Sequence, residues 1–333
     1  MTQTATPPRF TVGPQRRGAG HVRRRGRWDV KYSPYAFVAP FFVLFAAFGL
    51  FPLIYTAYIS LYRVELTDPG QRVWAGLGNY AGLLHDPFFW NALRNTFTIG
   101  AISTIPQLLM ALGLAHLLNY RLRGRTFFRV AMMMPYATSV AAATLVFAQL
   151  FGRDYGLINW ALGLVGVHRI DWQNGTWASQ VGISTIVTWR WTGYNALIYL
   201  AGMQSIPAEL YESAAIDGAS RWQQFRHVTI RGLRPTIIFT VIVSTIGATQ
   251  LFGEPLLYEG GTRGPSGGVS HQYQTLGLYL YDQGWSFFHL GRAAAVAWVM
   301  FLIIVVLVTL NTGIARLRSC DERALGRKGR ALR

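Results

Sequence analysis

Few residues in this chain stand where they could do chemistry. Glu254 and Arg190 each interrupt an apolar run. An ionisable group at membrane depth is costly and faces a bundle interior or a water-filled path. For Glu254 the plainer alternative is a place near the outer interface, where hydration lowers that cost. Tyr136, Thr138, Ser139, Tyr194, Asn195, Thr249 and Gln250 add hydroxyl and amide groups. These groups suit a polar solute, although helix–helix hydrogen bonding is their commoner use. Thr249 and Gln250 lie about one turn from Glu254, so part of the set shares one face if a single helix runs through them. Catalytic patterns are weaker. There is no Gly-x-x-x-x-Gly-Lys-Ser/Thr loop to cradle phosphates. Gly264-Pro-Ser266-Gly-Gly268 has the letters of a hydrolase elbow but lies in a glycine-rich loop, without the strand–turn–helix setting that gives them meaning. The seven histidines are scattered, with no pair at zinc-binding helical spacing. Asn174-Gly175-Thr176 spells a glycosylation sequon, but Asn-Gly reads more simply as a turn.

The elements that position these groups are apolar spans. Of 333 residues, 51% are hydrophobic and 14% charged, whereas a soluble domain carries about a quarter charged residues. Six stretches are long enough to cross a bilayer as helices of about 20 residues: 35–62, 92–119, 130–151, 180–203, 235–258 and 291–315. The net charge of +17 raises the question of a nucleic-acid partner, and the placement of the charge argues against one. Eight basic residues precede the first span and seven follow the last. Four more lie at Arg121, Arg123, Arg125 and Arg129, and four at Arg221, Arg226, Arg231 and Arg234. Those groups hold 23 of the 31 basic residues on one side of the membrane. The positive-inside rule then places both termini in the cytoplasm, with the basic clusters near anionic lipid. Residues 1–33 and 318–333 read as basic cytoplasmic tails around a transmembrane domain at 34–317. The outer connections 63–91, 152–179 and 259–290 are rich in Gly, Asn and Trp, the latter forming an interfacial belt. Cys320 is the single cysteine and supports no disulfide. The expectation is an all-α, multi-pass membrane protein.

One inner segment has a different texture. From Ser205 to Ile230 the sequence reads as two short helices about a tight turn. Ser205 can cap the first and Pro207 suits its opening turn. Asp217-Gly218 ends it, and Ser220 with Gln223 spells a capping box for the second. Ala214, Ala215 and Ala219 keep the surface slim, and Trp222, Phe225 and Val228 form an apolar stripe. Periodicity alone leaves open an amphipathic hairpin resting on the membrane.

This segment closely resembles the conserved cytoplasmic loop of binding-protein-dependent ABC importer permeases, written Glu-Ala-Ala, three residues, Gly, nine residues, Ile-x-Leu-Pro. Glu212, Ala214 and Gly218 match; Ser213, Val228, Ile230 and Arg231 depart. The resemblance implies that loop 204–234 docks in a cleft of an ATPase subunit. Glu212, Ala214, Asp217 and Gly218 then stand at the contact. Gly78-Asn79-Tyr80, Leu122-Arg123-Gly124-Arg125, Asp154-Tyr155-Gly156-Leu157 and Gln204-Ser205-Ile206-Pro207 look like the carbohydrate branch, and the chain is similar to the maltose-type first permease in a six-helix form. That likeness implies a type I ABC importer permease fold in a bacterial plasma membrane, moving a di- or oligosaccharide by alternating access. It also implies four kinds of company: a second homologous permease, two ATPases that bind ATP and Mg, an extracytoplasmic sugar-binding protein, and membrane lipid. No cofactor, catalytic residue or metal is implied for this chain. Pro135-Tyr136-Ala137 and Gly193-Tyr194 resemble sugar-lining stretches. Together with the polar groups named at the outset, the expected path is Tyr136, Ser139, Gly193, Tyr194, Asn195, Thr249, Gln250 and Glu254. Gln250-Leu-Phe-Gly-Glu-Pro-Leu-Leu-Tyr258 with His271-Gln-Tyr-Gln-Thr275 further resembles permeases for cellobiose and related β-glucosides. The rivals are a proton- or sodium-driven transporter, which needs intramembrane carboxylates or broken helices, and a membrane-embedded enzyme, which needs a convergent acid, base or metal set.

Overall fold

A computed structural model describes residues 22–120, 123–258 and 267–331, with side chains between 32 and 313. The Gly264–Gly268 elbow pattern and the first 21 residues of the basic start lie mostly or wholly outside the described residues. The chain divides into two compact units, 1–56 and 57–333. The first unit is α1 (Val22–Phe45), a π turn over Ala46–Leu50, and most of α2 (Phe51–Ser60). Tyr32–Ser60 is a 29-residue run apolar enough to span a membrane. Residues 22–33, read from sequence as part of a flexible tail, are helical and continuous with this run.

The second unit opens with a feature the all-α expectation lacks, an antiparallel hairpin of β1 (Tyr62–Glu65) and β2 (Asp68–Trp74). The Tyr62 and Trp74 rings meet at 4.9 Å across it. Next come α3 (Gly78–Leu84), α4 (Pro87–Asn119), α5 (Arg125–Ala137), α6 (Val140–Leu150), α7 (Leu157–Leu164) and α8 (Thr176–Gln204). The inner segment holds α9 (Ala208–Ile216), α10 (Arg221–Gln224) and α11 (Ile230–Gly232). The rest is α12 (Arg234–Thr249), α13 (Gly253–Leu257), α14 (Leu276–Tyr281) and α15 (Leu290–Ala331). The last helix carries on through 318–331, which the sequence reading took for a tail.

Among the described residues, length and composition qualify three helices as spans, or five if each bent pair counts once. The fourth expected span, α8, is absent from that set although its 29 residues reach about 43 Å at 1.5 Å per residue. It is the enclosed helix. Arg190, Asn195, Gln180, Ser184 and Thr188 are all buried along it, so it is surrounded by protein and tolerates polar side chains. Small residues let its neighbours approach: Ala111 and Ala115 on α4 face Ala196 in a shared core with Tyr199, Leu200, Met203 and Phe225.

Two expected spans are broken. Residues 130–151 form α5 and α6, which meet at 90°. Pro135 supplies no N–H in the last turn of α5, Thr138 and Ser139 are extended, and the Thr138 hydroxyl donates to the Met134 carbonyl. The fifth expected span, 235–258, stops at Thr249 and resumes at Gly253. Thr249 and Gln250 therefore share no helix with Glu254, contrary to the one-face expectation. The Leu251 carbonyl freed at this break accepts from the Thr275 hydroxyl at 2.6 Å, the kind of substitute partner that irregular backbone needs at membrane depth.

The irregular segment before α14 is buried and tied in by amides. Asn91 and Asn95 donate to the His271 carbonyl, Asn95 also to that of Gln274, and Gln180 to that of Gln272. The Asn174-Gly175 turn opens α8 as the sequence suggests, with Asp171 accepting from the Gln173 and Asn174 backbones. Burial pushes the Asp171 carboxyl up, but these bonds and the Arg153 guanidinium outweigh it and hold the group below the ordinary carboxylate range. Its support for the turn is present at neutral pH and is lost as pH falls through that lowered value.

Candidate functional site

The inner segment is a built projection. α9 ends in a paired-bond cap: the Gly218 N–H donates to the Ala215 carbonyl and the Ala219 N–H to that of Ala214. This geometry needs a left-handed residue after the helix, and Gly218 has φ of +79°. The capping box forms as its letters suggest, with the Ser220 N–H on Gln223 Oε1 at 2.7 Å and the Gln223 N–H on Ser220 Oγ. Ser205 does not cap α9. Its hydroxyl donates to the Gly202 carbonyl at the end of α8, and Pro207 takes the N-cap position. Glu212, Asp217 and Gly218 are exposed, Ala214 is half-buried, and Ile216 is 87% exposed.

The apolar stripe of the sequence divides in exposure, although the Trp222 and Phe225 rings stack at 5.5 Å. Trp222 is 68% exposed while Phe225 is buried in the α4–α8 core, with its ring 4.4 Å from that of His116. Tyr211 pairs with Thr229 at 3.0 Å, and Leu233 is fully buried in the same core. The segment after α9 is thereby tied to α4 and α8 by packed side chains, and to α9 by the Tyr211–Thr229 bond.

Farther along α8 from this segment, three rings cluster. Tyr136 stacks on Tyr194 at 4.9 Å, and Trp191 meets both edge-on at 5.2 and 5.7 Å. Beside them a cleft of about 40 Å³ lies between α4, α8 and α12, with Gln107, Trp191, Tyr194, Asn195 and Ser244 among its lining. That volume holds on the order of two or three waters. Trp191, Gln107 and Ser244 were missed in the sequence. Gln107 carried a signal, as an amide in the middle of the apolar run of α4, and its Nε2 donates to Ser244 Oγ.

The other expected path residues are not all with them. Ser139 and Gln250 are exposed at the two breaks, and the buried Thr249 hydroxyl donates to the Ile246 carbonyl. Gly193 is a packing position: a Cβ there would collide with the Met132 carbonyl of α5. Glu254 is neither at an open interface nor on the cleft. It is 5% exposed and bonded to Arg190 Nη1 at 2.8 Å.

Helices broken at mid-span around an enclosed polar helix, with a capped projection at one end, define a multi-pass membrane permease. Residues 107–318 match the family described as binding-protein-dependent transport system inner membrane component, and the chain belongs to that family. It is 38% identical over 288 residues to the lactose transport system permease protein LacF of Rhizobium radiobacter, covering 85% of this chain and 93% of that one. It is 34% identical to the arabinooligosaccharides transport system permease protein AraP of Bacillus subtilis, covering 85% and 88%. A solved bacterial alginate ABC transporter, in complex with an alginate pentasaccharide-bound periplasmic protein, has a chain that superimposes with a TM-score of 0.73. That match is at 20% identity over 88% of this chain and 97% of its own, and it shows the shared fold. The chain is a transport subunit of the inner membrane, not an enzyme.

Proposed function

We propose that this chain forms the translocation path for a di- or oligosaccharide in an ATP-driven importer. In that complex a second homologous permease completes the path, two ATPases bind ATP and Mg, and an extracytoplasmic binding protein delivers the sugar. The observation that carries the reading is the tie from α9, by the Tyr211–Thr229 hydrogen bond, to the following segment, whose Phe225 packs into the α4–α8 core. α8 also bears Trp191, Tyr194 and Asn195 on the cleft. Residues 34–317 act as the transmembrane domain, with both termini cytoplasmic. The relatives bear lactose and arabinooligosaccharide names, so the proposal is for the sugar class, wider than the β-glucosides suggested by Gln250–Tyr258. The aromatic trio offers flat faces and hydroxyls to a pyranose. The cleft is too small for one in this state, so the solute enters only when the helices part.

The broken helices and buried Glu254 are features that a proton- or sodium-driven transporter shows. Here Arg190 neutralises Glu254, and the family couples to a binding protein. Uptake of labelled oligosaccharides by proteoliposomes holding the assembled complex tests the reading. Uptake is expected only with ATP inside and binding protein outside. Uptake driven by an ion gradient without ATP would refute it.

Two narrower results are expected. Reporter fusions after residues 75, 165 and 270 should read as external, and a cytoplasmic signal from any of them breaks the topology. Tyr136→Ala removes a stacking face and should lower uptake about tenfold, the scale of one lost aromatic contact, while assembly and basal ATP hydrolysis persist. Normal uptake by this variant places the path elsewhere.

A further inference from the structure

We propose that Arg190 and Glu254 form a mid-membrane clasp. It ties the break in the third span and the break in the fifth to α8, and it must open for the two breaks to separate during transport. The proposal rests on the transport reading above.

Arg190 stands at the middle of α8, fourteen residues from each end. Its guanidinium reaches both discontinuities at once. Nη1 donates to Glu254 Oε1, in the first turn of α13 just past the fifth-span break. Nη2 donates at 3.4 Å to the carbonyl of Thr138, the residue that ends α5 at the 90° bend. Three separate pieces of backbone therefore converge on one side chain. The planar fork of arginine is suited to this, since it presents several donors in fixed directions.

The site is dry, with side-chain exposures of 9% for Arg190 and 6% for Glu254. A buried pair whose members separate leaves two uncompensated charges, so intermediate positions are disfavoured and the element has two states rather than a continuum. The closed state is also imperfect. Arg190 Nε is buried with no partner among the described residues, and the bond to Thr138 is long. Static buried networks are normally fully satisfied. The pairing with Arg190 explains why Glu254 is tolerated so deep without lying on the cleft.

Fixed labels across the bend test this. Cysteines at Phe127→Cys on α5 and Val146→Cys on α6, both exposed positions outside the cleft, carry spin labels in a Cys320→Ser background of the assembled importer in lipid discs. The unsubstituted background should give one distance without nucleotide and a second with a non-hydrolysable ATP analogue. Glu254→Gln and Arg190→Gln should populate the second distance without nucleotide and raise solute-independent ATP hydrolysis about threefold, as a shift of the resting equilibrium requires. Because either single change leaves one charge buried alone, Arg190→Met with Glu254→Met removes both. That double variant should assemble and show the same released distances. Native distances and native coupling in the double variant would overturn the clasp, and so would its failure to assemble, which would make the pair a packing element. If the background itself gives no second distance with nucleotide, the ATP-driven reading fails instead, a result readable before any clasp variant is made.

Discussion

Gly218→Trp is expected to reduce uptake to background while the complex still assembles. Two separable effects act at this position. The left-handed backbone costs a side chain about 1–2 kcal/mol, and any L-residue incurs that cost. Steric obstruction is the second effect, and within this chain it does not begin at the first side-chain carbon, since a Cβ at Gly218 would meet nothing within 4 Å. With Gly218 and its neighbours Asp217 and Ile216 exposed, an excess penalty for a large residue is expected from a partner pressed against the turn. Gly218→Ala should keep most transport, since it carries the strain alone, and Gly218→Trp should lose it. Glu212→Ala should fall between, because it removes one polar contact from an exposed helix face. Paired measurements of uptake and of solute-stimulated ATP hydrolysis check this. Equal transport by the Trp and Ala variants would remove the docking role, leaving only a turn.

The second large effect is expected at Gly193, for a reason internal to the fold. Gly193 lies where α8 presses on the backbone of α5, and even a methyl group would overlap the Met132 carbonyl. The neighbour is backbone, so no side-chain rotamer relieves the clash and the helices must move apart. Overpacking typically costs about 1–3 kcal/mol, and more where backbone must shift. Gly193→Leu should fail to accumulate in the membrane, and Gly193→Ala should accumulate poorly with a lowered thermal midpoint in detergent. The sugar-lining role suggested by Gly193-Tyr194 implies a different pattern: normal accumulation with weakened uptake. Thermal stability and uptake on the same Ala variant decide between them.

The parts of this molecule legible in its sequence are those fixed by near neighbours. The Ser220–Gln223 box and the Gly218 turn need only residues within one helical turn, and both form as their letters suggest. Ser205 misled because Pro207 took the N-cap position and left its hydroxyl to the preceding helix. The breaks at Thr138–Ser139 and at 250–252 were hidden for the opposite reason. An apolar run shows that residues lie in lipid or core, yet it does not show that the helix through them is continuous. What permits each break is a distant donor: Arg190 for the Thr138 carbonyl and Thr275 for that of Leu251. Tyr136 and Tyr194 were found from the sequence. Trp191 joined them only when α5 and α8 packed, since nothing local distinguishes it from a belt tryptophan.

The amide ties of the buried segment before α14 bear on how the chain is made. Asn91, Asn95 and Gln180 are synthesised and inserted long before residues 271–274, whose carbonyls accept their protons. Through that interval α4 and α8 carry amides at the starts of their apolar runs, with those acceptors not yet made. Only when the last fifth of the polypeptide emerges does the earlier half gain its full set of partners. The order of translation thus makes completion of the chain a condition for internal stability, and a truncated product is left with polar groups that a finished one conceals.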